Sequence, residues 1–408
     1  MNIQVYSDWH DDTVPQLMGI LAVQQVRRKE IFSFEFNSAW LKNNPNQMLD
    51  PDLMLYGGPQ YSSKANFGLF LDSAPDRWGR QLMRRRESIK ARQESRSVYN
   101  LQESDYLLGV FDETRMGAIR FKLSEDGDFV NNERDMATPP WTSLRELEAV
   151  SRDYEENPDD KNTRWLSLLL APGSSLGGAR PKANVLDTKN NLWIAKFPSK
   201  SDSIDIGAWE MVVHKLAKEA GLNVPECRLK SFSKYGSTFI CKRFDRKRKN
   251  RVHFASAMTL LGKNDGADYQ DGSSYLDLAQ FITRYGANPE KDLQELWYRI
   301  VFSIAIKNTD DHLRNHGFLL TEDGWQLSPV YDINPNPSGT GLSLNINETD
   351  NALDFDLARE VAPFFRLSAT EADSAIKIIQ DVVSRWRAVA DSCGLSRSEQ
   401  QLMQRAFE

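Results

Sequence analysis

Alternating apolar and polar positions predict strands near the start of the chain. Phe32, Phe34 and Phe36 alternate with Ser33 and Glu35. This two-residue period is typical of a strand with one buried face. The apolar residues 17–23 predict a neighbouring strand.

The pattern changes at residues 72–80, whose sequence is Asp-Ser-Ala-Pro-Asp-Arg-Trp-Gly-Arg. An acidic residue after a proline and before an amphipathic stretch predicts a capped helix start. The helical segment that follows contains Arg84, Arg85 and Arg86. Such a basic run is typical of a solvated helix face, and contact with a partner or nucleic acid is the alternative.

From the middle of the chain onward, strand and helix patterns alternate. An apolar strand is predicted at 192–197, and helical periodicity over 208–220 ends at Gly221. Strands are predicted at 228–232 and 237–244. From residue 254 the pattern is mostly helical, with one hairpin whose turn is predicted at Asp323 and Gly324.

Composition describes a folded chain without an excess of positive charge. The 408 residues contain 51 Lys and Arg, 57 Asp and Glu and 40% hydrophobic residues, with a net charge of −6. These values exclude a largely disordered chain and argue against a protein that coats nucleic acid through bulk electrostatics. Three cysteines are too few for a disulfide framework and favour a reducing compartment. No run approaches the roughly 18 apolar residues of a membrane helix, so a cytoplasmic protein without membrane contact is expected.

The most informative segment is residues 308–316, Asn-Thr-Asp-Asp-His-Leu-Arg-Asn-His, which follows an apolar helix. Asp310 and Asn315 stand five residues apart, then come the hairpin and Asp332. Phosphoryl transfer from ATP needs a carboxylate that faces the acceptor hydroxyl, and an Asn and a second Asp that bind magnesium. The catalytic loop of protein kinases has this spacing and order. These residues predict a phosphotransfer site.

Two other interpretations account for part of this segment. Asp and Asn also cluster after helices as turn caps, but that does not explain the order and spacing of all three residues. His312 and His316 have the i, i+4 spacing of a zinc site, yet Leu313 stands where a zinc protease has its general-base Glu. A phosphotransfer loop is therefore favoured.

A glycine-rich segment at residues 173–179 precedes the apolar strand. It lacks the Gly-Lys-Ser/Thr of a P-loop and the kinase Gly-x-Gly-x-x-Gly, so by itself it indicates only a turn. Lys196 lies in the apolar strand, where a lysine usually extends its amine to solvent. Glu210 in the following helix could pair with Lys196, as a helix Glu pairs with the nucleotide-orienting Lys of kinases.

Taken together, the motifs of this chain resemble the HipA-type serine/threonine kinases, the toxin components of bacterial toxin–antitoxin pairs. They follow one another in order over most of the chain: 72–80, 115–118 (Arg-Met-Gly-Ala), 175–182 (Ser-Leu-Gly-Gly-Ala-Arg-Pro-Lys), 193–198 (Trp-Ile-Ala-Lys-Phe-Pro), 243–246 (Arg-Phe-Asp-Arg), 308–315 and 331–332. The sequence departs from the family at Lys242, where Glu is frequent, and at His253, where other members have Gln.

The resemblance implies a role for each matching residue. Asp310 would be the catalytic base, and Asn315 and Asp332 the magnesium ligands. The implied ATP contacts are Lys196, the loop residues Gly177, Gly178 and Ala179, the hinge residues Lys242 and Phe244 around Arg243, and His312. Glu210 would support Lys196. Family members autophosphorylate a loop serine, which matches Ser175, with Ser174 as the neighbouring possibility.

The resemblance also implies an α+β, bilobal protein-kinase-like fold with a small N-terminal β-rich domain and a mostly helical C-terminal lobe. We expect an accessory domain at 1–140, a kinase N-lobe with the glycine-rich loop and hinge at 141–250, and a helical C-lobe at 251–408. The implied partners are a protein substrate with a Ser or Thr acceptor and a small helix-turn-helix antitoxin, with DNA reached only through that antitoxin. The implied cofactors are ATP and Mg²⁺.

Two alternatives remain open from the sequence. The chain could be a catalytically weak, kinase-like binding module in a repressor complex, in which the basic run at Arg84–Arg86 could face DNA. It could also be a small-molecule kinase on a related fold, although the N-terminal motifs give that alternative no support. Family precedent points to a translation component as the protein substrate, but no residue identifies one.

Overall fold

A computed structural model describes residues 1–9, 14–132, 138–157, 169, 178, 180–248 and 250–408. The chain forms two compact units. The first unit contains residues 1–200 and 242–255, and the second contains 201–241 and 256–408. The chain therefore passes between the units after residues 200, 241 and 255.

The first unit contains an antiparallel five-stranded sheet with the order β4-β3-β2-β1-β5. Its strands are β1 (Asn2–Ser7), β2 (Gln16–Val26), β3 (Lys29–Phe36), β4 (Gln60–Tyr61) and β5 (Ile119–Lys122). Phe32, Phe34 and Phe36 of β3 are buried and Glu35 is exposed, as the alternation predicts, although Ser33 is buried as well. Gly19 of β2 allows close approach to β3, because a Cβ there would lie 2.3 Å from the Glu35 carbonyl oxygen.

The described part of the first unit also contains five α-helices. They are α1 (Ser38–Asn43), α2 (Gly68–Leu71), α3 (Arg77–Gln93), α4 (Glu103–Gly109) and α5 (Leu144–Glu156). The predicted capped start is confirmed, because the Asp76 carboxylate accepts from the Gly79 N–H at 2.8 Å. The solvated face predicted for the basic run holds for Arg84 of α3, which is exposed, but only in part for Arg85 and Arg86, which are half-buried.

Two hairpins complete the first unit. β6 (Lys182–Leu186) pairs antiparallel with β7 (Leu192–Lys196), and β10 (Arg246–Lys247) pairs with β11 (Asn250–Arg251). The predicted apolar strand at 192–197 is thus β7, whose first four residues are buried.

The second unit is mostly helical. Its helices are α6 (Ile206–Glu219), α7 (Ala257–Leu260), α8 (Tyr275–Tyr285), α9 (Pro289–Ala305), α10 (Phe355–Val361), α11 (Ala369–Val383), α12 (Trp386–Ser392) and α13 (Arg397–Met403). Its strands are β8 (Cys227–Ser233), which pairs with β9 (Gly236–Lys242), and β13 (Gly317–Thr321), which pairs with β14 (Gly324–Leu327). The short β12 (Phe254–Ser256) and the last residue of β9 lie at the crossings between the units.

Helix α6 shows how local sequence and packing agree in the second unit. Asp205 caps it by accepting from the Ala208 N–H at 3.0 Å, and Gly221 follows it at a φ of +88°. Its Trp209 lies 6.0 Å from the ring of Trp386, which in turn stacks on Phe407 at 4.7 Å. Aromatic packing of this kind fixes α6 in the core.

The hairpin turn differs from the prediction by one position. Thr321 pairs with Gly324, so the turn residues are Glu322 and Asp323, and the predicted turn at Asp323 and Gly324 was wrong. Gly324 has a φ of +129°, and a Cβ there would lie 2.7 Å from the Tyr285 carbonyl oxygen. The glycine is needed for this close approach to α8 rather than for the turn itself.

None of the helices in the described part of the chain combines the length and apolar composition that a membrane crossing requires. The division at residues 140 and 250 into three domains stays a prediction.

Burial of His253 predicts a pH-dependent stability. His253 is 1% exposed and stacks on Trp9 at 4.8 Å, and burial lowers its pKa to about 3. In the unfolded chain a His titrates near pH 6.5, so acid favours the unfolded state once the pH falls below that value. Between pH 7 and pH 5, protonation of this histidine in the unfolded state lowers the free energy of unfolding of the wild type by about 2 kcal/mol. We expect His253→Gln, which does not titrate, to lose correspondingly less over that range.

Urea unfolding at pH 7 and pH 5 measures both free energies. The difference between the two pH values within each protein removes any constant effect of the substitution. An equal loss in wild type and His253→Gln would contradict the assignment of this linkage to His253.

Candidate active site

The candidate catalytic loop begins where α9 ends. Ile306 terminates the helix, and Lys307 then adopts a left-handed φ of +49° that turns the chain. Asn308 is fully buried: its N–H donates to the Ser303 carbonyl at 2.9 Å, and its Oδ1 accepts from the Asn334 N–H at 3.3 Å. Asn308 therefore ties the loop both to α9 and to the segment that follows Asp332.

Asp311 anchors the loop to α8 and α9. Its carboxylate, 5% exposed, accepts from the Tyr275 hydroxyl at 2.6 Å and from the Ser303 hydroxyl at 3.3 Å, and lies 3.1 Å from His316 Nε2. Burial alone would raise the pKa of Asp311, but His316 and Tyr275 lower it. Burial and the neighbouring Asp311 raise the pKa of Tyr275, so its hydroxyl keeps its proton and donates.

Asp310, one residue earlier, has the opposite environment. Its side chain is 85% exposed, and His312 Nε2 lies 3.9 Å from its carboxylate. The side-chain amide of Asn315, a residue that is only 4% exposed, donates to the Asp310 carbonyl at 2.8 Å. This bond holds the two residues in one turn and commits the amide nitrogen of Asn315, so that its Oδ1 is the atom suited to a cation.

Asp332 is held in an uncommon backbone conformation with a φ of +56°. A non-glycine residue there stores strain, which proteins retain mostly at functional positions. The preceding residue, Tyr331, donates its hydroxyl to the Arg314 carbonyl at 2.7 Å. This contact joins the Asp332 segment to the catalytic loop.

The donor set of this loop fits magnesium. Asn315 offers an amide oxygen and Asp332 a carboxylate, and Mg²⁺ is usually bound by one or two such groups together with substrate phosphates and water. The two histidines have separate partners, because His312 is half-exposed beside Asp310 whereas His316 is buried against Asp311. They do not form the paired-histidine face of a zinc site.

In the first unit, the end of the glycine-rich segment is attached to α3. The Gly178 carbonyl accepts from the Trp78 N–H and from Lys182 Nζ, each at 3.3 Å. Lys182 is 1% exposed and forms an ion pair with the capping residue Asp76 at 2.9 Å. Lys196 is half-buried on β7 and lies directly opposite Lys182. The ion pair with Asp76 neutralises the charge of Lys182, so two positive charges do not face each other across the strands.

The predicted hinge segment is held by buried arginine–carboxylate pairs. Asp245 is fully buried and accepts from Arg243 and Arg246, each at 2.6 Å, and from the Gly117 N–H at 2.9 Å. Burial alone would raise the pKa of Asp245, but the two guanidiniums hold it at about 2. Arg243 also donates to the Thr114 carbonyl at 2.7 Å. These contacts fix the backbone around the half-buried side chains of Lys242 and Phe244.

The structure thus brings some of the predicted residues together. Asp310, His312 and Asn315 share one loop of the second unit, to which the Asp332 segment is tied. Gly178, Lys196, Lys242 and Phe244 belong to the first unit, and Glu210 is buried on α6 of the second. A pairing of Lys196 with Glu210 stays a prediction. Ser174, Ser175, Gly177 and Ala179 lie outside the described residues.

The sequence did not reveal the residues that support this site. Asp311 is indistinguishable from its neighbour Asp310 in sequence, and Tyr275 lies 36 positions away. The family motifs contain three further supporting residues, Asp76, Lys182 and Asp245. Their place in these motifs is the only indication of their importance in the sequence. Their contacts show that separate motifs of the chain meet: 72–80 meets 175–182, and 115–118 meets 243–246.

Comparison with known proteins identifies the family. Residues 174–390, more than half of the chain, match the family model described as the HipA-like C-terminal domain. The chain therefore belongs to the HipA-like family, and the resemblance found in the sequence is confirmed.

Two curated relatives are similar over part of their length. A Haemophilus influenzae protein named as a presumptive kinase is 30% identical over 213 residues, covering 47% of this chain and 62% of the relative. The Shewanella oneidensis serine/threonine-protein kinase toxin HipA is 26% identical over 225 residues, covering 48% of this chain and 50% of the relative. The chain thus spans less than two thirds of either relative.

A solved structure is similar over nearly the whole chain. It is HipA of Shewanella oneidensis in the toxin–antitoxin complex with HipB and operator DNA, with a TM-score of 0.65 and 18% identity. The alignment covers 99% of this chain and 95% of that one. The predicted α+β, HipA-like fold is confirmed by this likeness.

The contact between Tyr275 and Asp311 predicts a measurable stability. Tyr275→Phe keeps the buried ring but removes a donor to a buried carboxylate, which costs about 1–3 kcal/mol. Urea unfolding measures the loss. Tyr285→Phe is the matched control, because its half-buried ring packs on Phe281 and its hydroxyl has no hydrogen bond within the described part of the chain. Equal stabilities of the two variants would contradict the anchoring role of Asp311.

Proposed function

We propose that this protein is an ATP- and Mg²⁺-dependent protein serine/threonine kinase of the HipA type. The observation that supports this most is the contrast between the environments of two adjacent aspartates. Asp311 is buried and hydrogen-bonded, whereas Asp310 is 85% exposed on a turn closed by Asn315. An exposed carboxylate on a rigid turn is what orientation of an acceptor hydroxyl requires.

Each residue of the loop has a role in this proposal. Asp310 accepts a hydrogen bond from the Ser or Thr hydroxyl and orients it toward the γ-phosphoryl group. Asn315 and Asp332 bind Mg²⁺, which neutralises charge on the phosphates when it is bound. His312, beside Asp310, lies near the nucleotide. Kinase names among the relatives support this assignment.

Residues elsewhere in the chain bind the rest of ATP. Lys196 and the loop residues Gly177, Gly178 and Ala179 contact the phosphates, and Glu210 supports Lys196. The adenine ring binds to the backbone of the hinge at Lys242 and Phe244. The buried Asp245–arginine contacts support this role, since they hold that backbone in one conformation.

The proposal includes control by autophosphorylation of Ser175, with Ser174 as the alternative acceptor. A phosphate group adds nearly two negative charges to the loop that would contact ATP phosphates. Repulsion between the two would displace the loop and stop the reaction. The attachment of Gly178 to α3 marks the point at which such a displaced segment would end.

The biological setting is proposed from the family. The chain would act on a cytoplasmic protein with a Ser or Thr acceptor, with a translation component as the family precedent. Its partner would be a small helix-turn-helix antitoxin, and contact with DNA would run through that antitoxin. The solved structure of HipA with HipB and operator DNA supports this type of partner.

Phosphoryl transfer by wild type and Asp310→Asn tests the proposal. With γ-labelled ATP and Mg²⁺, we expect wild type to label its own loop serine and a protein substrate from a cell extract. Removal of the carboxylate is expected to lower the rate about 10²- to 10⁴-fold. The matched control is Asp323→Asn, which changes an exposed aspartate in the hairpin turn and should leave the rate unchanged.

Equal labelling by wild type and Asp310→Asn would overturn the assignment of the base. If neither protein transfers phosphate although both bind the antitoxin, the kinase proposal fails in favour of the binding module in a repressor complex.

A further inference from the structure

A polar cavity of about 350 Å³ opens in the second unit beside Thr309, the residue before Asp310. It is lined by Asp268, Tyr269, Thr309, Asn351 and residues 338–343. We propose that this cavity receives a basic side chain, Lys or Arg, which flanks the phosphorylated Ser or Thr of the protein substrate. This inference rests on the proposed kinase function and specifies its substrate class.

The cavity wall is attached to the catalytic loop. The Ser343 hydroxyl donates to the Thr309 carbonyl at 2.8 Å, and the Thr309 hydroxyl accepts from the Asn336 side chain at 2.7 Å. Gly339 allows the wall to approach closely, since a Cβ there would lie 2.3 Å from Thr309 Cγ2. The cavity is thus held at a fixed position relative to Asp310, as a substrate subsite must be.

The far wall is held as firmly. Asn351 donates its side-chain amide to the Leu342 carbonyl at 2.6 Å. A Cβ on Gly341 would lie 2.8 Å from that amide nitrogen, so a glycine is needed here as well. The Tyr269 N–H donates to the Ser343 carbonyl at 2.8 Å, which fixes the third side of the cavity.

The position of the cavity matches a residue next to the acceptor. Consecutive Cα atoms are about 3.8 Å apart, so Thr309 is one such step from the base. An extended peptide rises about 3.3 Å per residue. With its hydroxyl at Asp310, an extended substrate therefore has the reach to bring a residue one or two positions away to the cavity beside Thr309.

The chemical groups that line the cavity favour a cationic substrate side chain. Hydroxyl groups and an amide line most of the cavity, and Asp268 is the acidic member of the lining. Among the described residues that form it, none is Lys or Arg. A cationic substrate side chain therefore gains favourable electrostatics from Asp268. An acidic side chain would be repelled.

Binding of labelled peptides tests the proposal without any need for catalysis. The probes are alanine-rich peptides with one Ser and a Lys at position −2, −1, +1 or +2, compared with Ala and Glu at the same positions. Fluorescence anisotropy with the full chain, Mg²⁺ and a non-hydrolysable ATP analogue gives the affinities. We expect Lys at one of these positions to bind about tenfold more tightly than Ala, and Glu more weakly.

Thr340→Trp fills the cavity and is expected to reduce the Lys advantage to less than about twofold. The matched control, Thr349→Trp, adds the same side chain at an exposed position outside the cavity and keeps the advantage. Asp268→Asn is the second variant. It removes the charge but keeps an oxygen that can cap the local turn, and it should weaken Lys binding selectively.

The outcomes separate the cavity from the proposed activity. Lys-selective binding by a chain that transfers no phosphate would support the cavity and refute the kinase proposal. An active kinase that binds all peptides equally would overturn the cavity proposal alone. A Lys advantage that survives in both Thr340→Trp and Asp268→Asn would also overturn it.

Discussion

The buried carboxylate of Asp311 is the constraint on which the candidate site depends. It lies between Tyr275 of α8, Ser303 of α9 and His316 at the end of the loop. A buried carboxylate without donors would be very costly, so the chain is stable only when these groups converge on it. Their convergence holds the loop against two helices and leaves Asp310, the preceding residue, exposed. The orientation of the proposed base is thus a consequence of burying its neighbour.

A second set of buried charges organises the first unit in the same manner. Asp76 forms an ion pair with Lys182, which follows the glycine-rich segment. Asp245 forms ion pairs with Arg243 and Arg246 at the hinge. Both carboxylates also accept backbone N–H groups, from Gly79 and Gly117 respectively. Residues of the N-terminal region therefore fix the backbone of the segments that are proposed to contact ATP.

Much of the secondary structure could be predicted from the sequence, because residue periodicity, helix capping and glycine positions determine it locally. The phenylalanine alternation of β3, the Asp76 cap of α3 and the termination of the α6 helix near Gly221 were all predicted correctly. The hairpin turn was wrong by one residue: Asp-Gly is a strong turn signal, but Gly324 serves the approach to Tyr285. The solvated face predicted for the basic run holds for Arg84, whereas Arg85 and Arg86 are half-buried. Local periodicity does not report such tertiary contacts.

The candidate site was predictable only in part, for a related reason. The types and spacing of Asp310, Asn315 and Asp332 suggested the chemistry, but burial separates Asp310 from Asp311, and burial is a tertiary property. The ion pair of Asp76 with Lys182 joins residues 106 positions apart, which a single sequence does not reveal. The cavity beside Thr309 likewise forms from three separate segments of the chain.

Asn315 of the loop and Asp332 of the adjoining segment are proposed to bind a metal–nucleotide complex. The most direct measurement is electron paramagnetic resonance of Mn²⁺, used in place of Mg²⁺ and titrated with ATP. We expect ATP-dependent Mn²⁺ binding by wild type and by Asp323→Asn, and at least about tenfold weaker binding by Asp332→Asn. Equal Mn²⁺ affinity in wild type and Asp332→Asn would contradict the proposed metal site.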